Sequence, residues 1–357
     1  MAFPIWKGLV RTTPTVAPIA HRALLSITGS QSTEFLNGLL ATSVNGSPRH
    51  RYSAFLHAQG RVMYDTFLYT TAGGYILEYD AKALEHSPEV TPLLSYLKRH
   101  VLRSKVKIRP VTEEYDVWSS WGSSQDHEWE TPRHWHFEQS GSIEPIWPED
   151  GLWPWGSTEC VIHDRRGVGM GRRLLARKGD PPPVAATHDL AGIDEYLLHR
   201  LTKGVPEGAK DIIPMQAFPM ESNLDVMGAI DFRKGCYVGQ ELTVRTYHTG
   251  AIRKRILPIA IELANPQAQS SPLSFPTNID IKPSAIDIKP AGPRPRGSGK
   301  LLSTHNGLGL ALLRLEHVAG WEKGILRLEF ENDGVKWKVS PWRPEWWPQQ
   351  PVEEIST

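Results

Sequence analysis

The sequence predicts an α+β protein of antiparallel sheets, ended by a small C-terminal β-barrel. Three observations predict it. Strand-like segments follow one another at short spacing between residues 22 and 110, joined by glycine turns and broken by two helical patterns. Two more strands flank the glycine-rich "GVGMG" at 167–171. Beyond residue 251 nearly every regular segment reads as strand, with Asn332-Asp333-Gly334 turn chemistry between the last two.

The elements run in order. "RALLSITG" is a strand ending at Gly29, and "STEFLNGLLA" sets Phe35, Leu36, Leu39 and Leu40 on one helical face. A three-strand meander follows: "YSAFLH", then "VMYDTFLY" after Ala58-Gln59-Gly60, then "YILEYD" after Gly73-Gly74. A helix carries Leu93, Leu94, Leu97 and Val101, and "KVKIRPV" returns as a strand. The stretch 118–155 holds seven of the 13 tryptophans among Pro, Ser, Gly and His, and is expected to be an irregular elaboration. "ECVIHDRRGVGMGRRLLA" gives two strands around a glycine turn, and a helix near 187–202 leads to residue 236. Residues 1–250 thus form one region and 251–357 a barrel domain. Residues 264–300 contain "IDIKP" twice and seven prolines between Pro266 and Pro295, so they are expected to be a surface insertion outside sheet and helix. The tail "SPWRPEWWP" is expected to pack back as an aromatic clamp.

A chain of 357 residues is long for one core, and 22% charged residues describe a globular protein. The net charge of +1 supplies no global field for nucleic acid, and no apolar run reaches the length of a membrane span. Two cysteines, Cys160 and Cys236, make no disulfide framework; with no secretory h-region in view, a reducing compartment is expected. Asn45-Gly46-Ser47 reads as a turn. The first acid is Glu34, after Lys7, Arg11 and Arg22; this start fits a transit-peptide remnant and equally fits chance.

Four patterns invite chemistry. His134-Trp135-His136 puts two imidazoles on one strand face, but four ligands with defined spacing are absent, and a solvated face is expected. "GVGMG" is followed by a strand-like run, so it reads as a β-turn rather than a dinucleotide loop. Asp65 shares its expected strand face with Met63, Phe67 and Tyr69; a carboxylate there is a general base, a ligand anchor or a structural acceptor. Cys236 stands in "DFRKGCYVGQEL". Arg233, Lys234, Arg245, Arg253, Lys254 and Arg255 lie within 233–255 against Glu241 alone, surroundings that favour thiolate. The bland reading is a small buried hydrophobe. His248 is a candidate base, but no Cys–His–Asn pattern supports it. An iron–sulfur cluster wants four protein ligands, mostly thiolates. One plausible thiolate can hold a cluster only with a partner that supplies the rest.

"KGCYVGQE", residues 234–241, resembles the signature of the YgfZ-type branch of the folate-binding-like proteins related to the glycine-cleavage T-protein. "LLSITGSQSTEFLNGLL", "FLHAQGRVMYDTFLY", "GVPEGAKDIIPMQAFPMESNLD" and "RTYHTGAIRKR" are similar to that branch, most of all to its mitochondrial iron–sulfur cluster assembly members. The likeness runs from about residue 20 to 262 and resumes over 300–348. It implies a T-protein-like multi-domain fold around a central folate-type pocket and a place in the mitochondrial matrix. It implies maturation of [4Fe–4S] proteins together with A-type scaffold proteins; separately, the chain is expected to be a monomer when alone. It marks Cys236 as the functional residue; with the cysteine count, the expectation is that its thiolate is a metal ligand sharing a [2Fe–2S] cluster with a partner, or shields that cluster's conversion. Lys234, Gly235, Tyr237, Gly239, Gln240 and Glu241 form its signature, and Asp65 and Arg245 are candidates for the pocket. Two departures stand out. Where T-protein transferases carry paired aspartates, Tyr64 takes the first position and Asp65 remains. Where they hold the pterin with glutamates, "VGMGRR" supplies Arg172 and Arg173, and a cation cannot accept from a pterin N–H. A non-catalytic assembly role is therefore expected. The alternatives are a tetrahydrofolate-dependent one-carbon transferase and a redox-active cysteine enzyme.

Overall fold

The structure is a computed structural model describing residues 11, 13–44, 51–128, 133–147, 154–156, 158–265, 274–286 and 296–349. Strands Arg22–Thr28, Tyr52–Leu56, Val62–Thr71, Gly74–Asp80 and Lys107–Pro110 form one antiparallel sheet. Its spatial order sets Tyr52–Leu56 at one edge and Lys107–Pro110 at the other. Tyr52–Leu56 and most of Val62–Thr71 are buried apolar and aromatic runs, as suits strands covered on both faces, whereas the edge strand Lys107–Pro110 is largely exposed. One face packs on the helices Ser32–Asn37 and Leu93–Val101 through Leu25, Phe35, Leu36, Leu68 and Leu97. The other packs on a second five-stranded sheet through Leu24, Tyr52, Phe67 and Tyr69.

That second sheet orders Val161–His163, Arg172–Arg177, Tyr115–Trp121, Thr15–Pro18 and Asp189–Leu190. Its central strand, Tyr115–Trp121, runs into the tryptophan-rich stretch 118–155 expected to be irregular. Ser119 and Ser120 mask the alternation, yet both are buried and the strand pairs on both sides. The rest of the stretch adds the hairpin His134–Phe137 with Ile143–Ile146, and Trp155 is fully buried. "GVGMG" is a turn, with Gly169 and Gly171 at φ +79° and +81°, and a strand rather than a helix follows it.

The helix Ile193–Lys203 ends at Gly204 in the left-handed conformation and packs Leu198 and Leu201 against the barrel. The barrel is closed by Lys254–Leu263, Leu308–Arg314, Gly299–His305, Asp280–Ala285, Leu326–Asn332 and Val335–Pro341. Leu257, Ile259, Leu301, Phe330 and Val339 fill it. Removing each such side chain from water contributes about 1.5–3 kcal/mol.

The strand Asp280–Ala285 corrects a sequence expectation. It contains the first "IDIKP" copy, which was expected to lie outside the sheet. Pro283 is tolerated because the pairing with Gly299–His305 ends at Ile281, leaving Pro283 one neighbouring strand, Leu326–Asn332. The second copy falls almost wholly outside the described residues, as do Asn45-Gly46-Ser47 and the first ten residues. The tail does pack back: Trp346 Nε1 donates to the Lys203 carbonyl at 2.9 Å, and Trp347 is buried on the barrel cluster.

Candidate functional site

The segment carrying Cys236 is a loop clamped from below. The Asp231 N–H donates to the Ala41 carbonyl at 3.0 Å, and the Val238 N–H to the Gly38 carbonyl at 3.2 Å. Between them, Lys234 Nζ donates to the carbonyls of Asn37, Leu40 and Thr42 at 2.7, 2.7 and 3.0 Å. Asn37 ends the helix Ser32–Asn37, so one ammonium satisfies carbonyls that the helix terminus leaves without partners. Burial lowers the Lys234 pKa to about 8. Its ammonium also lies 4.9 Å from the centre of the Tyr237 ring, and Tyr237 is buried in the main core.

Gly239 fixes the far end. It stands at φ +82°, and a Cβ there would lie 2.4 Å from the His57 carbonyl oxygen. The loop thereby sits directly on the His57–Gly60 turn of the meander. The Tyr237 N–H donates to Gln240 Oε1 at 3.1 Å, and the helix Gln240–Thr249 begins there with Glu241 in its first turn. Phe232 stacks on Tyr247 at 4.0 Å, and Tyr247 donates to Glu144 of the 134–146 hairpin at 2.5 Å. Lys234, Tyr237, Gly239 and Gln240 therefore hold the loop's shape. Gly235, Cys236 and Glu241 are exposed, and a Cβ added to Gly235 would meet nothing within 4 Å. The result is a braced loop presenting one thiol beside an uncovered backbone.

The six cations counted from the sequence do not converge on that thiol. Lys234 turns inward, Arg255 is buried and bound to Asp225, and Lys254 reaches toward Glu221. Arg233 pairs with Glu144 at 3.8 Å; Arg245 and Arg253 are exposed. The two cysteines are both free, with Cys160 half-buried against the main core. Burial raises the Cys160 pKa, which disfavours its thiolate. His136 bonds Glu138 at 2.9 Å, and the described residues contain no cluster of three metal-ligating side chains.

Asp65 lies elsewhere, in the space between the two sheets. A bulge in the pairing of Tyr52–Leu56 with Val62–Thr71 moves Met63 to the helix-covered face beside Tyr64 and Leu68, while Phe67 and Tyr69 face the second sheet. The expected sharing of one face by Met63 and Asp65 therefore fails. Both Asp65 oxygens lie 3.4 Å from Arg22 Nη1, and Arg22 Nε donates to Glu78 at 2.7 Å. Arg173 donates through Nε to both Glu78 oxygens at 3.1 Å and through Nη1 to Glu207 at 3.0 Å. Arg166 joins Glu207 at 2.8 Å and Asp164 at 2.7 Å, and Tyr196 donates to Glu207 at 2.7 Å. None of these side chains is more than a few per cent exposed. Burial pushes Glu78 and Glu207 up, but the surrounding arginines outweigh it and hold both below the ordinary carboxylate range.

A pterin does not fit this arrangement. It needs carboxylates to accept its ring N–H groups, and Glu78, Glu207 and Asp65 already receive arginine. Tyr64, at the position of the transferases' first aspartate, points to the opposite face and donates to the Thr91 carbonyl at 2.9 Å. Arg245 takes no part in the ion pairs around Asp65. The sequence did not disclose this cluster, because Arg22, Glu78 and Arg173 are 56 and 95 residues apart in pairing. The one local signal was the arginine pair ending "VGMGRR".

Two sheets against each other with an appended barrel define an aminomethyltransferase-like fold. The glycine cleavage system aminomethyltransferase T of Bartonella henselae superposes with a TM-score of 0.59 over 92% of this chain and 86% of its own, at 14% identity. Residues 253–349 match the C-terminal beta-barrel domain of CAF17. The mitochondrial iron–sulfur cluster assembly factor IBA57 homolog of Cryptococcus neoformans serotype D is 39% identical over 91% of this chain and 94% of its own length. The Aspergillus fumigatus homolog is 36% identical over 84% and 70%, and that of Mycosarcoma maydis 32% over 94% and 86%. The chain belongs to this IBA57 family of mitochondrial iron–sulfur cluster assembly factors.

Proposed function

We propose that the protein acts in the maturation of mitochondrial [4Fe–4S] proteins, together with an A-type scaffold protein, without itself catalysing one-carbon transfer. Cys236 supplies one thiolate to a [2Fe–2S] cluster that is cargo shared with that partner. One observation carries the reading: a single exposed thiol on a loop whose neighbours are spent on bracing it. A thiol meant as core filler would be buried, and one meant as a nucleophile would be held beside a base. Among the described residues no hydrogen bond joins Cys236 to His248, the candidate base, whose ring contact is with its chain neighbour Tyr247. Cys160 is half-buried, so the second cysteine does not offer a comparable ligand.

A ligating thiol must lose its proton, and a cluster needs several thiolates converging on it. The loop offers one accessible thiol and leaves the remaining ligands to the partner. Gly235 gives the partner backbone to approach without displacing a side chain. The test mixes the protein with a cluster-loaded A-type scaffold and records the absorption spectrum of the complex. The wild type should form a complex with an altered charge-transfer spectrum. Cys236→Ser should lose that alteration, and an unchanged spectrum in this variant would refute ligation by the thiol.

A further inference from the structure

The stretch 98–109 carries Lys98, Arg99, Arg103, Lys105, Lys107 and Arg109, and the chain has no Asp or Glu between Glu89 and Glu113. All six cations are exposed. They run from the last turn of the helix Leu93–Val101, through a tight turn, along the open edge strand Lys107–Pro110. Arg109 pairs with Glu114; among the described residues the other five have no carboxylate partner. The exposed Glu34, on the helix after Gln31, is the acid on the neighbouring element.

In the middle of this strip stands Leu102, 88% exposed. Its backbone is at φ +45°, ψ −108°. The Ser104 N–H donates to the Val101 carbonyl at 2.7 Å, so Leu102 takes the first central position of a type II′ turn, a place that favours glycine. The turn is held from outside: the Lys105 N–H donates to Gln31 Oε1 at 2.7 Å, and Gly29 packs against the Lys105 carbonyl. Gln31, Leu102, Arg103 and Ser104 line an open hollow there. The fold thus accepts both backbone strain and exposed apolar surface at one point, and fixes that point rigidly.

Cations on an edge strand deter strand-to-strand association, which accounts for Lys107 and Arg109. It accounts neither for Lys98, Arg99, Arg103 and Lys105 nor for Leu102. We propose that this strip is a peripheral docking surface for an anionic phospholipid bilayer, with the cations on headgroup phosphates and Leu102 inserted between them. Membrane attachment without a spanning segment takes two signals, a basic cluster and an apolar anchor, and both are present here. No helix among the described residues is long and apolar enough to cross a membrane. A single-stranded nucleic acid would be held with stacking aromatics as well as charge, and the neighbouring aromatic, Tyr96, is buried.

The test sediments the full chain with vesicles of phosphatidylcholine alone and of phosphatidylcholine mixed with phosphatidylglycerol. Binding should require the anionic lipid and weaken as salt rises. Leu102→Gly suits the turn better than leucine, so it should fold at least as stably yet bind several-fold more weakly. The double change Arg103→Ala/Lys105→Ala should lower partitioning roughly 25-fold, about fivefold for each cation. Three results would overturn the proposal: no partitioning onto anionic vesicles, equal retention by neutral ones, or full binding by Leu102→Gly. Binding to heparin without vesicle binding would also overturn it.

Discussion

Within the cysteine loop, two glycines of the same octapeptide do opposite things. Gly239 is held at positive φ against the His57 carbonyl, so any side chain there is strained and also collides with backbone. Gly235 faces open space at a φ other residues can adopt. Gly239→Ala should therefore lose at least about 2 kcal/mol of stability in urea unfolding. Gly235→Ala should be neutral, or stabilise by about 0.5 kcal/mol through the unfolded chain. Equal costs at the two positions would contradict the account of which residues brace the loop and which leave it accessible. Lys234 belongs with the bracing residues. Its place in a basic run suggested service to the thiol, but three carbonyls of the 37–42 segment accept its hydrogen bonds. Short-range sequence shows that a cation is present, and only the fold shows which way it turns.

Among elements, the facing sheets hold the ion-pair cluster, and the strands that carry it explain its consequences. Arg173 on Arg172–Arg177 links Glu78 on Gly74–Asp80 to Glu207 beyond the helix Ile193–Lys203. Arg173→Met keeps most of the volume and removes the link, leaving two buried carboxylates short of a cation. The expected loss is about 3–5 kcal/mol in denaturant unfolding, the magnitude for breaking a buried pair on one side. A loss under about 1 kcal/mol would mean that water, not arginine, satisfies these carboxylates. Strand positions of the first sheet were legible because "RALLSIT", "YSAFL" and "GYILEYD" alternate or run apolar between clear turns. Tyr115–Trp121 was not, because Ser119 and Ser120 interrupt its apolar pattern although both are buried. Asp280–Ala285 was not, because a proline tolerated at one-sided pairing looks like a sheet breaker in sequence.

Across the whole molecule, buried titratable groups set the response to acid. His199 is buried beside Trp121, stacked at 4.7 Å between ring centres, and burial lowers its pKa from 6.5 to about 3. The unfolded chain therefore takes up a proton below pH 6.5 that the folded chain refuses until about pH 3, so stability falls as pH drops through that window. From pH 7 to 5 this group should cost about 2 kcal/mol, and His199→Phe should remove that part of the pH slope. Glu78 and Glu207 act in a separate range: their contribution is complete above their ordinary value of 4.5 and is lost only as pH falls below it. An identical slope between pH 7 and 5 in wild type and variant would contradict the neutral, buried histidine. The functional reading likewise spans the whole molecule, since the body shapes the loop that a partner must meet. It is tested most directly by placing selenocysteine at position 236 and recording selenium X-ray absorption in the complex with the cluster-loaded A-type scaffold. Direct ligation predicts an iron scatterer bonded to selenium. A selenium environment of light atoms alone would contradict it.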